Sequence, residues 1–89
     1  MNNTDGSPFP TRLKQARIMR GLSQKQLGIL AGMDRFVASA RMNQYERGVH
    51  APDFKTVIAL SQVLGVPTAY FYCLEEELAS VIMDWKASC

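Results

Sequence analysis

The sequence predicts an all-α protein: a compact bundle of five short helices followed by a sixth, C-terminal helix. Three observations carry this expectation. Apolar residues recur at spacings of three and four through most of the 89 residues, the period of a helix with one buried face. Glycines at positions 21, 32, 48 and 65 fall just after such stretches, where helices stop. No segment has the alternating pattern of a half-buried strand. A chain of this length makes one small domain, and with 47% hydrophobic residues it can pack a core.

In chain order, the first ten residues, MNNTDGSPFP, are polar and Pro-rich and read as a flexible arm. TRLKQARIMRGL then offers Leu13, Ala16 and Ile18, with Leu22, as a partial apolar face ending at Gly21. Ser23 to Gln26 has the form of a capping box, in which the serine hydroxyl takes the Gln26 N–H and the glutamine reaches back. The helix it opens turns Leu27, Leu30 and Ala31 inward. Gly28 lowers its helix propensity by about 1 kcal/mol relative to alanine and marks close approach by another backbone. MDRFVASA is less regular, with Asp34 and Ser39 both able to cap. RMNQYERG forms a short helix stopped by Gly48, and HAPD is a turn. Asp53 caps FKTVIALSQVLG, whose Val57, Leu60, Val63 and Leu64 form an apolar face. Pro67 suits the first turn of a fifth short helix, TAYFYC. EEELASVIMDWK begins with three acids, favourable at a helix N-terminus, and repeats Leu78, Val81, Ile82 and Trp85 at three and four.

Composition narrows the function. Residues 1–55 hold nine bases against four acids, a net +5, whereas residues 56–89 hold one base against four acids, a net −3. A basic front half suggests a polyanionic partner on one face. Cys73, Cys89 and the single His50 make no zinc set, so no metal site is expected; Cys73 reads as core and Cys89 as a terminal thiol. No paired carboxylates, Ser-His-Asp set or glycine-rich phosphate loop is present, and neither an enzymatic activity nor a cofactor is expected. No apolar run reaches the roughly 18 residues of a membrane span, and the N-terminus lacks signal-peptide character, so a soluble, cytoplasmic protein is expected.

A short helix, a glycine stop, a capped helix, a glycine turn, another helix and another stop follow the order of a helix-turn-helix. The motifs "GLSQKQLGILAG", "RMNQYERG", "PDF" and "LGVP", in this order, resemble the Xre/Cro family of lambda-repressor-like DNA-binding domains. The resemblance spans roughly residues 11–72. It implies a helix-turn-helix DNA-binding domain at 11–74, which the composition flanks with a flexible arm at 1–10 and the apolar spacing with a C-terminal helix, a candidate for dimerisation, at 75–89. One departure stands out: relatives cross from the second to the third helix by a shorter turn, and the extra residues align near 33–36. Either the turn is longer, or the third helix gains a turn capped by Asp34.

Site residues follow from helix geometry and the resemblance together. Met42 and Tyr45, three apart, face one way and are expected to pack on Leu27 and Leu30. At about 100° per residue the opposite side presents Ala40, Asn43, Gln44 and Arg47, flanked by Ser39 and Arg41. A solvated polar face would account for that composition alone. In a helix-turn-helix the same face enters the major groove, where arginine clamps guanine and asparagine or glutamine clamps adenine. Ser39, Ala40, Arg41, Asn43 and Gln44 are therefore the expected base readers. Ser23, Gln24, Lys25, Arg35 and Arg47 are the expected phosphate contacts, Gln24 because it matches the family's phosphate-binding glutamine. The resemblance also implies a structural ion pair between Arg17 and Glu46.

The expected function is sequence-specific binding of double-stranded DNA by a bacterial or phage transcription regulator, in the family's manner a dimeric repressor on a palindromic site. Leu78, Val81, Ile82 and Trp85 are the expected dimer surface. An antitoxin or a protein-interaction module on the same fold is the alternative, with the C-terminal helix gripping a protein partner.

Overall fold

The computed structural model describes residues 6–85. Residues 1–5 of the expected arm, Lys86 and Cys89 lie outside them. The described residues form five α-helices and no strand: α1 (Phe9–Met19), α2 (Gln24–Leu30), α3 (Ala38–Glu46), α4 (Phe54–Leu64) and α5 (Glu76–Asp84). A 3-10 segment, Thr68–Tyr72, lies between α4 and α5. The expected six α-helices are thus corrected. TAYFYC, five of whose residues fall between the extended backbones of Pro67 and Cys73, closes as 3-10 turns, the form short helical pieces favour. No helix among the described residues is long and apolar enough to cross a membrane.

The start of the domain also moves. Phe9 and Pro10, expected in the arm, form the first turn of α1, where proline's missing N–H has no helical partner to lose. Phe9 is buried, its ring 5.0 Å from that of Phe71 and 5.6 Å from that of Tyr72. The apolar residues Phe9, Leu13 and Ala16 then line the buried stripe of α1, and Arg12 lies on the same stripe. Ile18 falls on the opposite side at about 100° per residue and is exposed, contrary to expectation.

Helix α2 begins at a complete capping box, with Gln26 N–H donating to Ser23 Oγ at 3.0 Å and Ser23 N–H to Gln26 Oε1 at 2.8 Å. Its buried residues are Leu27 and Gly28. Leu30 lies off that face and is exposed, so it does not form part of the surface on which Met42 and Tyr45 were expected to pack. Gly28 takes that role by a different route. A Cβ on Gly28 would stand 2.7 Å from Ala38 Cβ and 3.1 Å from the Ala38 backbone, so glycine lets α2 and α3 touch.

Seven residues, 31–37, separate α2 from α3. Asp34 organises them: its Oδ1 accepts Phe36 N–H at 2.8 Å, and its carbonyl accepts Val37 and Ala38 N–H, each at 3.0 Å. Both options left open by the sequence are therefore partly realised. The link is long, and its second half is a turn of helical spacing centred on Asp34. Met42 and Leu27, fully buried, join Leu13, Val57, Leu60, Leu64 and Phe71 in the core. Cys73 is a free, buried thiol. Helix α5 lies over one side, burying Ala79 and packing Ile82 and Met83 against the core edge.

Candidate nucleic-acid interface

Helix α3 is anchored along one edge. Ala38, Met42 and Tyr45, spaced at four and three, are buried. Ser39, Ala40, Arg41, Gln44 and Arg47 are exposed, and Asn43 is half-buried. The side of α3 opposite its buried edge, with the Arg47 that follows it, thus presents a hydroxyl, an exposed and a half-buried amide and two guanidiniums. These are the donors and acceptors that base edges in a major groove recognise. The C-terminal end of α3 is closed by Val49 N–H, which donates to Gln44 O at 3.0 Å.

Glu46, at the last turn of α3, ties three elements together. Its side chain is only 3% exposed. Arg17 of α1 clamps it with two bonds, Nε to Oε2 at 2.6 Å and Nη2 to Oε1 at 3.0 Å. Arg17 Nη1 also donates to Leu22 O at 2.9 Å, and Gln24 Nε2 donates to Glu46 Oε1 at 3.2 Å. A carboxylate removed from water needs this many donors, since an unpaired buried charge is strongly destabilising. The orientation of α3 relative to α1 and to the start of α2 is therefore held at one point.

The residues expected on phosphates fall into two groups. Lys25, Arg35 and Arg47 are exposed along the flanks of the α2–α3 unit. Arg35 also places its guanidinium 5.6 Å from the Phe36 ring centre. Ser23 and Gln24 are already engaged: the serine hydroxyl caps α2, and the glutamine amide holds Glu46.

Arg12, counted in sequence among the surface cations, is 3% exposed. Its Nε donates to Cys73 O at 2.9 Å and its Nη2 to Leu74 O at 3.3 Å. Nη1 reaches Gln15 Oε1 and Glu76 Oε1, both at 3.1 Å, and the guanidinium lies 5.8 Å from the Tyr70 ring centre. Arg12 latches α1 to the chain leading into α5 and adds nothing to the outward charge. Its place on the Phe9–Leu13–Ala16 stripe was the signal in the sequence. Arg20 is similarly committed in part, donating Nε–H to Leu64 O at the end of α4 at 2.7 Å. Lys14, Arg20, Lys25, Arg35, Arg41, Arg47 and Lys55 remain as exposed cations of the front half.

Of the residues expected at a dimer surface, Leu78 and Val81 lie on α5 away from its buried Ala79, Trp85 follows the helix, and Ile82 packs on the core edge. Leu78, Val81 and Trp85 are 50%, 64% and 59% exposed, and Ile82 is half-buried. Val81, Ile82 and Trp85 line an open, wholly apolar recess with Pro67.

Comparison with known proteins gives a consistent picture. The helix-turn-helix family model HTH_3 matches residues 13–71. Over 62 residues the chain is 37% identical to the SPbeta prophage-derived uncharacterized HTH-type transcriptional regulator YonR of Bacillus subtilis (strain 168), an alignment covering 70% of this chain and 54% of that protein. The chain therefore spans about half the length of that curated relative. The crystal structure of transcriptional regulator BswR superposes with a TM-score of 0.83 at 56% identity, covering 89% of this chain and 81% of that one.

Proposed function

The chain belongs to the helix-turn-helix family of Xre and lambda-repressor-like DNA-binding domains, and from that premise we propose that it is a sequence-specific, double-stranded-DNA-binding transcription regulator, acting as a dimeric repressor on a palindromic site. The observation that carries this reading is the division of α3 into a buried edge, Ala38, Met42 and Tyr45, and an outward hydrogen-bonding face. In the major groove Arg41, Asn43 and Gln44 read base edges, while Ser39 and Ala40 lie close enough to contact them at the helix start. Each bidentate pair discriminates by about 1–3 kcal/mol against the wrong base. Lys25, Arg35 and Arg47, with Ser23 and Gln24 at the margin, meet the phosphates and set register without carrying sequence information.

One such domain makes few base contacts. Two copies related by a two-fold axis double them and read half-sites about 34–36 Å apart. Leu78, Val81, Ile82 and Trp85 supply the contact between copies. The same exposed apolar stripe also supports a second reading, in which α5 grips a protein partner and the molecule is an antitoxin or adaptor.

Selection of bound duplexes from a random library tests the proposal. A palindromic consensus with half-sites one helical turn apart supports it, and no enriched motif at physiological salt contradicts it. Replacing Lys25 by alanine should weaken binding to all duplexes alike and reduce the salt slope by about one phosphate's worth.

A further inference from the structure

The α2–α3 link presents a side chain that neither the core nor the polar face of α3 explains. Phe36 is 87% exposed, more than any other large hydrophobic residue among those described. Its backbone is nevertheless held, because Phe36 N–H bonds Asp34 Oδ1 at 2.8 Å and the next two N–H groups bond Asp34 O. Arg41 N–H then bonds Val37 O at 2.9 Å, so helical spacing runs from this turn into α3. At about 100° per residue, Phe36, Ala40, Asn43 and Arg47, spaced four, three and four apart, share one stripe. Counted back at that spacing, Phe36 stands in the turn just ahead of α3 on the side of its outward face, at the N-terminal end that meets base edges in helix-turn-helix complexes.

Resting on the major-groove reading above, we propose that Phe36 is a specificity-determining residue that recognises the C5-methyl group of a thymine. A phenyl ring offers no hydrogen bond, and the thymine methyl is the apolar feature of the major-groove edge. Wedging between base steps is the alternative use of an exposed phenylalanine on DNA, but it belongs to minor-groove binders. The Arg35 guanidinium, 5.6 Å from the ring centre, steadies the ring and keeps a cation beside the groove for the adjoining phosphate.

The test uses the full chain and its selected duplex, with each thymine replaced in turn by deoxyuridine, which removes the methyl and keeps the pairing. For the wild type, one thymine per half-site should respond, with affinity falling about five-fold or more. Phe36→Ala should weaken the thymine duplex by a similar factor, be indifferent to deoxyuridine at that position, and bind random duplex unchanged. Phe36→Leu should recover part of the loss. Indifference of the wild type at every thymine, continued sensitivity of Phe36→Ala at the same thymine, or equal loss on random duplex would overturn the proposal. So would a Phe36→Ala variant that keeps its DNA affinity but changes its mass by light scattering, which would assign the ring to a protein interface. Gln44→Ala, run in parallel, separates the two levels. If it loses selectivity and Phe36→Ala does not, only the Phe36 assignment fails. If neither loses it, the groove assignment of α3 fails with it.

Discussion

Glu46 and Arg12 show how differently two buried ionic groups can serve one small domain. Glu46 fixes α3 through Arg17 and Gln24. Removing Arg17 leaves a carboxylate that is 3% exposed with a single neutral side-chain donor. Arg17→Ala should therefore destabilise by about 3–5 kcal/mol in urea unfolding, a large share of the roughly 5–15 kcal/mol a domain possesses. The Arg17→Ala/Glu46→Ala double variant should lose less than the sum of the single losses. Arg12 works through carbonyls more than through its carboxylate partner, since Glu76 is 77% exposed. Arg12→Ala should lower stability by several-fold more than Glu76→Gln, whose effect should stay within about 1 kcal/mol; equal effects would mean that the ion pair, rather than the Cys73 and Leu74 carbonyls, holds the latch. The Arg17–Glu46 contact could be anticipated only through a family resemblance, because nothing in spacing relates residues 29 apart. Arg12 was hidden because charge counting treats every arginine as surface.

At the scale of elements, the contact between Gly28 and Ala38 sets the angle of the helix-turn-helix. Two effects oppose each other in Gly28→Ala: helix propensity improves by about 1 kcal/mol, while the new methyl meets Ala38 at 2.7 Å with its backbone behind it. Overpacking of this kind typically costs about 1–3 kcal/mol and here has no flexible side chain to displace. Gly28→Ala should be net destabilising by thermal melting, and Ala38→Gly in the same chain should recover part of the loss.

The cap of α4 gives a pH-dependent expectation. Hydrogen bonds from Thr56, first from its side chain and then from its backbone N–H, hold the Asp53 carboxyl below its ordinary value of 3.8. A folded-state pKa below the unfolded one stabilises above the unfolded value, and that contribution is lost as pH falls through the folded one. The melting-temperature difference between wild type and Asp53→Asn should therefore be constant near neutrality and shift against the wild type below about pH 4. Helix stops and caps were legible because each depends on one or two neighbouring residues, as at Ser23, Asp53 and Gly65. The inward face of α2 was not. Periodicity favours pairing Leu27 with Leu30, three residues on, and it is the approach of Ala38 that turns the Gly28 side inward instead.

For the whole molecule, the charge asymmetry survives folding, less the buried Arg12 and the Arg17 that is paired with Glu46. The proposed function puts the basic half on DNA and the exposed side of α5 on a second copy. Val81→Asp tests that assignment without disturbing the core, because the side chain is 64% exposed. It should leave the melting temperature near that of the wild type at low protein concentration and, for the proposed dimer, lower the particle mass to that of one chain by light scattering. A particle of unchanged mass would move the interface elsewhere. The overall architecture was readable because one buried stripe per helix leaves few ways to pack so short a chain. The buried and exposed sides of α3 were readable, but not the preceding link, where Asp34 holds the Phe36 backbone by side-chain bonding that periodicity does not register.

The central claim is that the outward face of α3 reads base edges. The most direct measurement is the affinity ratio between the selected duplex and a shuffled one, at physiological salt, for the wild type and for Gln44→Ala. A large ratio is expected for the wild type, and Gln44→Ala should reduce it by about five-fold or more through the selected duplex alone. An equal loss on both duplexes, or an unchanged ratio, would contradict it.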